Sequence, residues 1–349
     1  MSNHGAIPSG RVVTFYRSVA TMMGAGVPFF AIFEFLAREP EDPEIGFASQ
    51  RIAQNLVRGQ ALHQAVSSER ALFDPVSVKM LEIGYRSGKL CLILERLASQ
   101  KESNWEMAAK IRSQLTYPLG IAVLTLVGVM LIPPLVLADL LEQVVALTSE
   151  PPLLTRWLLS FSSLVGSPVA LGLLALLVMG GIWVVNQGHG QRLFELYEKS
   201  LWSIPVVGDF WKTVVSYRFL GMFALTYDCG LPITQCAILS AAATGSPTAE
   251  LKGPAIKNSL IEGLGVRQAL ESADFLPQMA LESVEVGEQS GTLPFLMERA
   301  AELLKAEVTS RMEMVTKFVE PMVLFCLGAF VAIFALGCLL PIIRLAETL

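Results

Sequence analysis

Glu82-Ile83-Gly84-Tyr85-Arg86-Ser87-Gly88-Lys89-Leu90, followed by Glu95-Arg96, decides the reading of this chain because it is written twice. The second writing is Glu285-Val286-Gly287-Glu288-Gln289-Ser290-Gly291-Thr292-Leu293, followed by Glu298-Arg299 at identical spacing. Upstream, Ala25-Gly26-Val27-Pro28 answers Cys229-Gly230-Leu231-Pro232, and Gly59, Gln64 and Ala65 answer Gly263, Gln268 and Ala269. Downstream, Tyr117-Pro118 answers Glu320-Pro321. Each copy passes from a polar helical region into an uncharged stretch of membrane length, so a duplicated module is fused to membrane segments.

The composition agrees. Of 349 residues, 53% are hydrophobic and only 16% charged, with a mean hydropathy of +0.53, too apolar for an ordinary soluble protein. No Asp, Glu, Lys or Arg occurs between Arg112 and Asp139, between Arg156 and Arg192, or between Glu320 and Arg344. Within these windows the segments 117–138, 168–186 and 321–343 are each long enough, as helix, to cross a hydrocarbon core of roughly 30 Å. Buried helices of a soluble protein would keep a polar stripe, and these do not. The first forty residues lack a basic run followed by an apolar core, so no cleaved signal peptide is expected.

Lys and Arg near the membrane ends set the orientation. Lys110 and Arg112 precede the first span and Arg192 and Lys199 follow the second, whereas the intervening loop holds Asp139, Glu142 and Glu150 against Arg156 alone. The large segments, and the N-terminus with them, are expected in the cytoplasm. Lys317 agrees with this, and Arg344 opposes it.

Apolar side chains at helical spacing, broken by Gly and Pro, predict a helix over 11–23 and a second from Pro28 to a turn at Pro40-Glu41-Asp42-Pro43. Further helices are expected over 43–57, 61–66 and 75–83, and a sixth runs from beyond Gly88 into the membrane. The second copy repeats the order from Val215, with breaks at Gly245-Ser246-Pro247 and Gly253-Pro254, and a last cytoplasmic helix from Pro294 to Lys317. The predicted fold is therefore all-α, a polytopic membrane protein with two homologous cytoplasmic six-helix bundles and three transmembrane helices. Its parts are a flexible N-terminus (1–11), a first module (12–116), a first span (117–138), a periplasmic loop (139–167), a second span (168–186), a second module (187–320), a third span (321–343) and a periplasmic tail (344–349). The extra hairpin makes the modules parallel copies on one side, unlike the inverted repeats of many transporters. Pro118 and Pro321 are expected where helices bend or restart at the membrane, and Pro133-Pro134 where the first span kinks or ends.

Chemistry has no visible seat. Neither Gly-x-x-x-x-Gly-Lys-Ser/Thr, His-Glu-x-x-His nor Gly-x-Ser-x-Gly occurs, and imidazole is limited to His4, His63 and His189. Cys91, Cys229, Cys236, Cys326 and Cys338 are not spaced for a structural zinc site. A net charge of -5 without a basic block disfavours nucleic acid. No cofactor is implied and no catalysis is expected.

The turn itself has two readings. Gly287 could take the left-handed conformation that ends a helix, with Ser290 or Thr292 capping the next. Glu285 and Glu288 could form an acidic docking pair or a solvated face. Arg96 and Arg299 could bridge to an acid such as Glu82 or Glu285 on another helix, or lie in solvent.

The paired pattern, Gly-x-Pro after a short helix and Glu-x-Gly-x-x-Ser-Gly-x-Leu before a membrane helix, resembles the inner-membrane F protein of type II secretion systems and the platform protein of type IV pili. The resemblance covers about Val12 to Ile343. Beginning almost at its first module, the chain is similar to the shorter members from type IVb-like pilus systems. The resemblance implies a non-enzymatic, multi-pass platform in the bacterial inner membrane. Its implied partners are a cytoplasmic hexameric assembly ATPase, pilin or pseudopilins, other inner-membrane assembly proteins, membrane lipids and further copies of itself. The motif residues that carry over as docking candidates are Glu82, Gly84, Ser87 and Gly88 in the first copy and Glu285, Gly287, Glu288, Ser290 and Gly291 in the second. Gly26, Pro28, Gly230 and Pro232 are the repeat turns. The family's glutamate after the first glycine is present as Glu288 and absent as Tyr85. A small transporter or channel is the alternative, disfavoured because no Asp, Glu, Lys, Arg or His lies within any expected span.

Overall fold

A computed structural model describes residues 7–38, 42–145, 160, 172, 202 and 207–348, and every element among them is an α-helix. The first copy supplies α1 (Ser9–Gly24), α2 (Phe29–Leu36), α3 (Pro43–Val57), α4 (Leu62–Ser67), α5 (Pro75–Ser87) and α6 (Leu90–Val145). The second supplies α7 (Val207–Asp228), α8 (Ile233–Ala243), α9 (Pro247–Ile261), α10 (Val266–Glu271), α11 (Gln278–Ser290) and α12 (Leu293–Thr348). Of the expected second span and the loop before it, only residues 160 and 172 beyond 145 are described, and residues 39–41, which include Pro40 and Glu41 of the expected turn, and residues 1–6 also lie outside the described residues.

The duplication is legible in the backbone. Three turns carry a left-handed glycine in each copy: Gly26 and Gly230, Gly59 and Gly263, Gly88 and Gly291. The copies are offset by 204 residues at the first two pairs (230 − 26, 263 − 59) and 203 at the third (291 − 88). At the last pair the chain leaves the helix by the same closure, Lys89 N donating to Gly84 O at 3.0 Å and Thr292 N to Gly287 O at 2.9 Å.

The structure divides into two units, Met1–Lys110 with Glu195–Thr309, and Ile111–Phe194 with Ser310–Leu349. In the first unit each copy closes around its own aromatic centre. Phe15, Tyr16, Phe33 and Phe73 are buried together in the first copy, and Phe219, Phe223 and Phe275 in the second. Each such side chain contributes roughly 1.5–3 kcal/mol relative to leaving it exposed. The helix that opens each copy anchors an equivalent carbonyl: the Tyr16 hydroxyl donates to Leu72 O at 3.1 Å, and Ser216 Oγ donates to Phe275 O at 2.7 Å. Burial, and secondarily Asp74, push the Tyr16 phenol far above its ordinary range. Asp74 caps α5 by accepting from Ser77 N at 2.7 Å, and it also pairs with Lys101. Burial alone would raise this carboxyl, but Lys101 and the Ser77 amide outweigh it and hold it below its usual value.

The two copies meet along a polar seam. Ser103 Oγ lies 2.9 Å from the Tyr217 hydroxyl and accepts from Lys305 Nζ at 2.7 Å. Arg96 stands 3.5 Å from both Asp228 and Glu298, rather than reaching Glu82 or Glu285, because the copies pack α6 against α7 and α12. Arg299 pairs locally with Glu302. These exposed pairs contribute only a few tenths of a kcal/mol to about 1 kcal/mol each, so they fix register more than stability.

In the second unit the Thr316 hydroxyl lies 3.4 Å from Gln114 O, relating α6 and α12 at an offset of 202 residues (316 − 114). Two helices among the described residues are long and apolar enough to cross a membrane, Leu90–Met130 and Leu293–Gly337. Only 7% and 0% of their apolar windows are buried, the opposite of a soluble core helix. Phe318, Leu324, Phe325, Val331 and Leu336 stand exposed along α12.

Several boundaries differ from expectation. Helix α1 starts at Ser9, inside the segment expected to be loose, with Pro8 at its cap position. Helix α5 continues to Ser87 because its stop is Gly88 rather than Gly84. Gly253-Pro254 lies inside α9. Packing of that helix on α8 is close enough that a Cβ on Gly253 would fall 2.9 Å from Ala241 Cβ, and this tertiary contact outweighs the lost ladder bond. Helix α6 passes through Pro118 and Pro133-Pro134 to Val145, and α12 passes through Pro321. In both, helix continues on either side of the proline, so the missing donor interrupts the ladder only locally.

Candidate docking site at the acidic turn

The site forms where α11 ends, Gly291 turns the chain and α12 begins, with α10 alongside. The two motif glycines have different duties. Gly291 takes φ +70°, with open space where a Cβ would be. Gly287 is helical, and a Cβ there would stand 3.0 Å from Leu293 Cα and 3.3 Å from Leu296 Cβ. The expected left-handed position thus falls to Gly291, and Gly287 instead lets α12 cross close against α11. The first copy agrees: Gly88 has φ +69°, and a Cβ on Gly84 would lie 3.1 Å from Leu90 Cα. Ser290 donates back to Val286 O and lies 2.7 Å from Thr292 Oγ1, so its hydroxyl serves its own helix end rather than the next helix start. Ser87 reaches toward Gly84 O at a longer 3.5 Å.

Glu288 reaches across to α10. Its oxygens accept from Val266 N at 2.8 and 2.9 Å, satisfying a first-turn amide that no residue of α10 can satisfy. Gly265 makes room, since a Cβ there would meet Glu288 Oε2 at 3.3 Å. Glu285 accepts from Arg267 at 2.6 Å. Together with Gln268, Glu271 and Gln289 these residues line an open recess of about 380 Å³.

The first copy builds the same turn with other chemistry. Ala61 stands for Gly265, His63 for Arg267, Arg86 for Gln289, and an exposed Tyr85 for Glu288. Glu82 is neutralised by Lys79 at 2.8 Å and Arg86 at 2.9 Å. The Lys79 hydrogen bond is the main cause that holds its carboxyl below the usual range. Glu285, Gly287 and Glu288 are therefore brought together, whereas Gly26-Val27-Pro28 and Gly230-Leu231-Pro232 join α1 to α2 and α7 to α8. Gly265, Arg267, Glu271 and Gln289 were not foreseen. The signal for them was the exchange of Ala61 for Gly265 opposite the exchange of Tyr85 for Glu288.

This geometry makes Glu288 a brace as well as a surface acid. Glu288→Ala is expected to lower the stability of the second module by about 1–2 kcal/mol, the usual loss of a helix-capping acceptor. Glu288→Gln, which keeps one acceptor, should lose less. Hydrogen exchange at the Val266 amide reports this directly, and unchanged protection in Glu288→Ala would contradict the bracing role.

Fold and site together define a class: an all-helical protein with a duplicated module carrying membrane-length apolar helices, with a paired Gly-x-x-x-Gly turn feeding each long helix. A family model described as type II secretion system (T2SS), protein F, matches residues 15–138 and 219–341, one match per copy. The chain belongs to that family. It is 29% identical over 345 residues to the type IV pilus assembly protein PilC of Thermus thermophilus, covering 96% of this chain and 82% of that protein. It is 26% identical to the PilC protein of Myxococcus xanthus, with 98% and 82% covered. To the type II secretion system protein F of Aeromonas hydrophila it is 25% identical, with 94% and 84% covered.

Proposed function

We propose that this chain is the inner-membrane platform of a type IV pilus or type II secretion machine, coupling a cytoplasmic hexameric ATPase to extraction of pilin or pseudopilin from the bilayer. The observation that carries the reading is the family match to both copies, falling on the same turn, glycine pair and long apolar helix each time. Three spans at 117–138, 168–186 and 321–343 hold both modules on the cytoplasmic side, with the N-terminus there and the short tail outside. The chain hydrolyses nothing itself; it transmits.

An ATPase working beneath the membrane needs a rigid surface to push on. The polar seam that joins the modules supplies rigidity, and the acidic recess supplies a contact for a cationic segment, through Glu285, Glu271 and Gln289 at its edge. Glu288 holds that edge in place by bracing α10. Affinity purification of the tagged full chain from membranes in mild detergent tests the reading. The assembly ATPase and a pilin or pseudopilin should co-purify. Recovery of an intact, membrane-inserted chain with neither would count against it.

A further inference from the structure

The first module carries an open groove between its second and third helices. Between α2 and α3 lies a cavity of about 520 Å³, with Phe30, Ala53 and Val57 on its walls and Glu34, Arg38 and Arg58 among its polar lining. Phe30 is 44% and Val57 69% exposed, so no described residue covers these apolar walls. In the second module the equivalent helices α8 and α9 pack closely, a Cβ on Gly253 falling 2.9 Å from Ala241 Cβ. At the repeat offset of 204, Arg38 and Arg58 become Ala242 and Glu262.

The second module offers a shape and charge that fit the groove. The turn between α9 and α10, equivalent to Val57–Gln60, projects Ile261 at 63% and Leu264 at 44% exposure. Gly263 at φ +84°, with Leu264 N donating to Ser259 O at 3.1 Å, holds the tip in one conformation. Between the two apolar side chains sits Glu262, the residue that caps the C-terminus of α9. A carboxylate there faces the negative end of the helix dipole, whereas Arg58 at the same place on α3 faces it favourably. A local rule broken in one copy and kept in the other calls for a compensating cation. Among the described residues neither Glu262 nor Arg58 has an ion-pair partner. Arg38 has only an exposed pair with Glu34 at 2.7 Å, which costs little to give up.

We propose that the α9–α10 tip of one chain seats in the α2–α3 groove of a second copy. Ile261 and Leu264 cover Phe30 and Val57, and Glu262 meets Arg58 and Arg38. Lys257, one turn back on α9, and Glu34 on the groove are likewise of opposite sign. The contact joins different surfaces of identical chains, so it propagates head to tail into a ring or a row. It stands apart from the platform reading, since it can fail while deletion of the chain still stops fibre assembly.

The test uses two differently tagged full-length chains, co-expressed in membranes, with Cys91, Cys326 and Cys338 replaced by serine. One carries Val57→Cys and the other Ile261→Cys, and a short bis-maleimide is added. A mixed cross-linked dimer is expected, without a matching Val57→Cys self-dimer. Arg58→Glu in the first chain should cut the yield about tenfold, equivalent to roughly 1.4 kcal/mol, and Glu262→Arg in the second should restore it. Recovery in the doubly reversed pair also shows that Arg58→Glu still folds. Absence of the mixed dimer, dominance of self-dimers, a yield indifferent to charge reversal, or capture of the groove cysteine chiefly by another protein would each overturn the proposal.

Discussion

Gly287→Val is expected to cost the second module about 3 kcal/mol and to leave it poorly folded at growth temperature, the upper end of the usual range of overpacking in a tight interior contact. The competing effect is helix propensity. Gly287 lies within α11, where replacing glycine by alanine gains about 1 kcal/mol in an unhindered helix. The added Cβ, however, falls 3.0 Å from Leu293 Cα, which is backbone and cannot swing aside as a side-chain tip can. Gly287→Ala should therefore come out between neutral and mildly destabilising. The branched methyls of valine add volume with a smaller propensity gain than alanine brings, and crowding wins outright. Gly291→Ala is the contrasting variant. Open space surrounds it, and only its φ of +70° resists a side chain, so its cost is about 1–2 kcal/mol. Pulse proteolysis of the detergent-solubilised chain ranks the three. Valine at 287 tolerated as well as alanine at 291 would show that α11 and α12 are not in close contact. Gly84→Val should do to the first module what Gly287→Val does to the second, because its Cβ meets Leu90 Cα at 3.1 Å.

That ranking marks where the sequence was readable and where it was not. Helix α3 was legible to the residue, because Pro43 fits its first position and Gly59 closes the turn beyond its end. The duplication, the all-helical class and the two long apolar helices followed from spacing and charge. The division of labour between two glycines four apart did not. Both Gly287 and Gly291 lie near a helix end, and only the approach of Leu293 and Leu296 from the next helix separates a packing glycine from a left-handed one. Glu288 was legible as an unusual acid but not as a brace, since its partner amide at Val266 is 22 residues away. The spacing leaves Arg96 between bridging to an acid such as Glu82 or Glu285 and lying in solvent, and it stands beside Asp228 and Glu298, a choice fixed by how the two copies pack. Pro254 reads as a break by local rule and lies inside α9, and Pro133-Pro134, read as a kink or an end of the first span, lies inside α6.

The second large effect concerns the machine. Removing this chain should abolish fibre or pseudopilus assembly while sparing the chemistry that drives it. The family match to both copies assigns the chain a place in assembly, and its sequence offers no nucleotide loop. Under the proposed function the energy source and the fibre subunit are separate proteins, and the chain is the connection between them. Loss of a connection leaves both ends intact, which distinguishes a platform from a motor or a maturation factor. The direct measurement is a deletion strain, complemented or not by the full chain, in which surface fibres or secreted protein, mature subunit in the inner membrane, and ATP hydrolysis by the purified ATPase are all followed. The expected result is no assembly, with mature subunit retained in the inner membrane and hydrolysis by the isolated ATPase unaffected, and full recovery on complementation. Assembly at normal levels without the chain, or recovery only of ATPase catalysis on its return, would contradict its role as the platform.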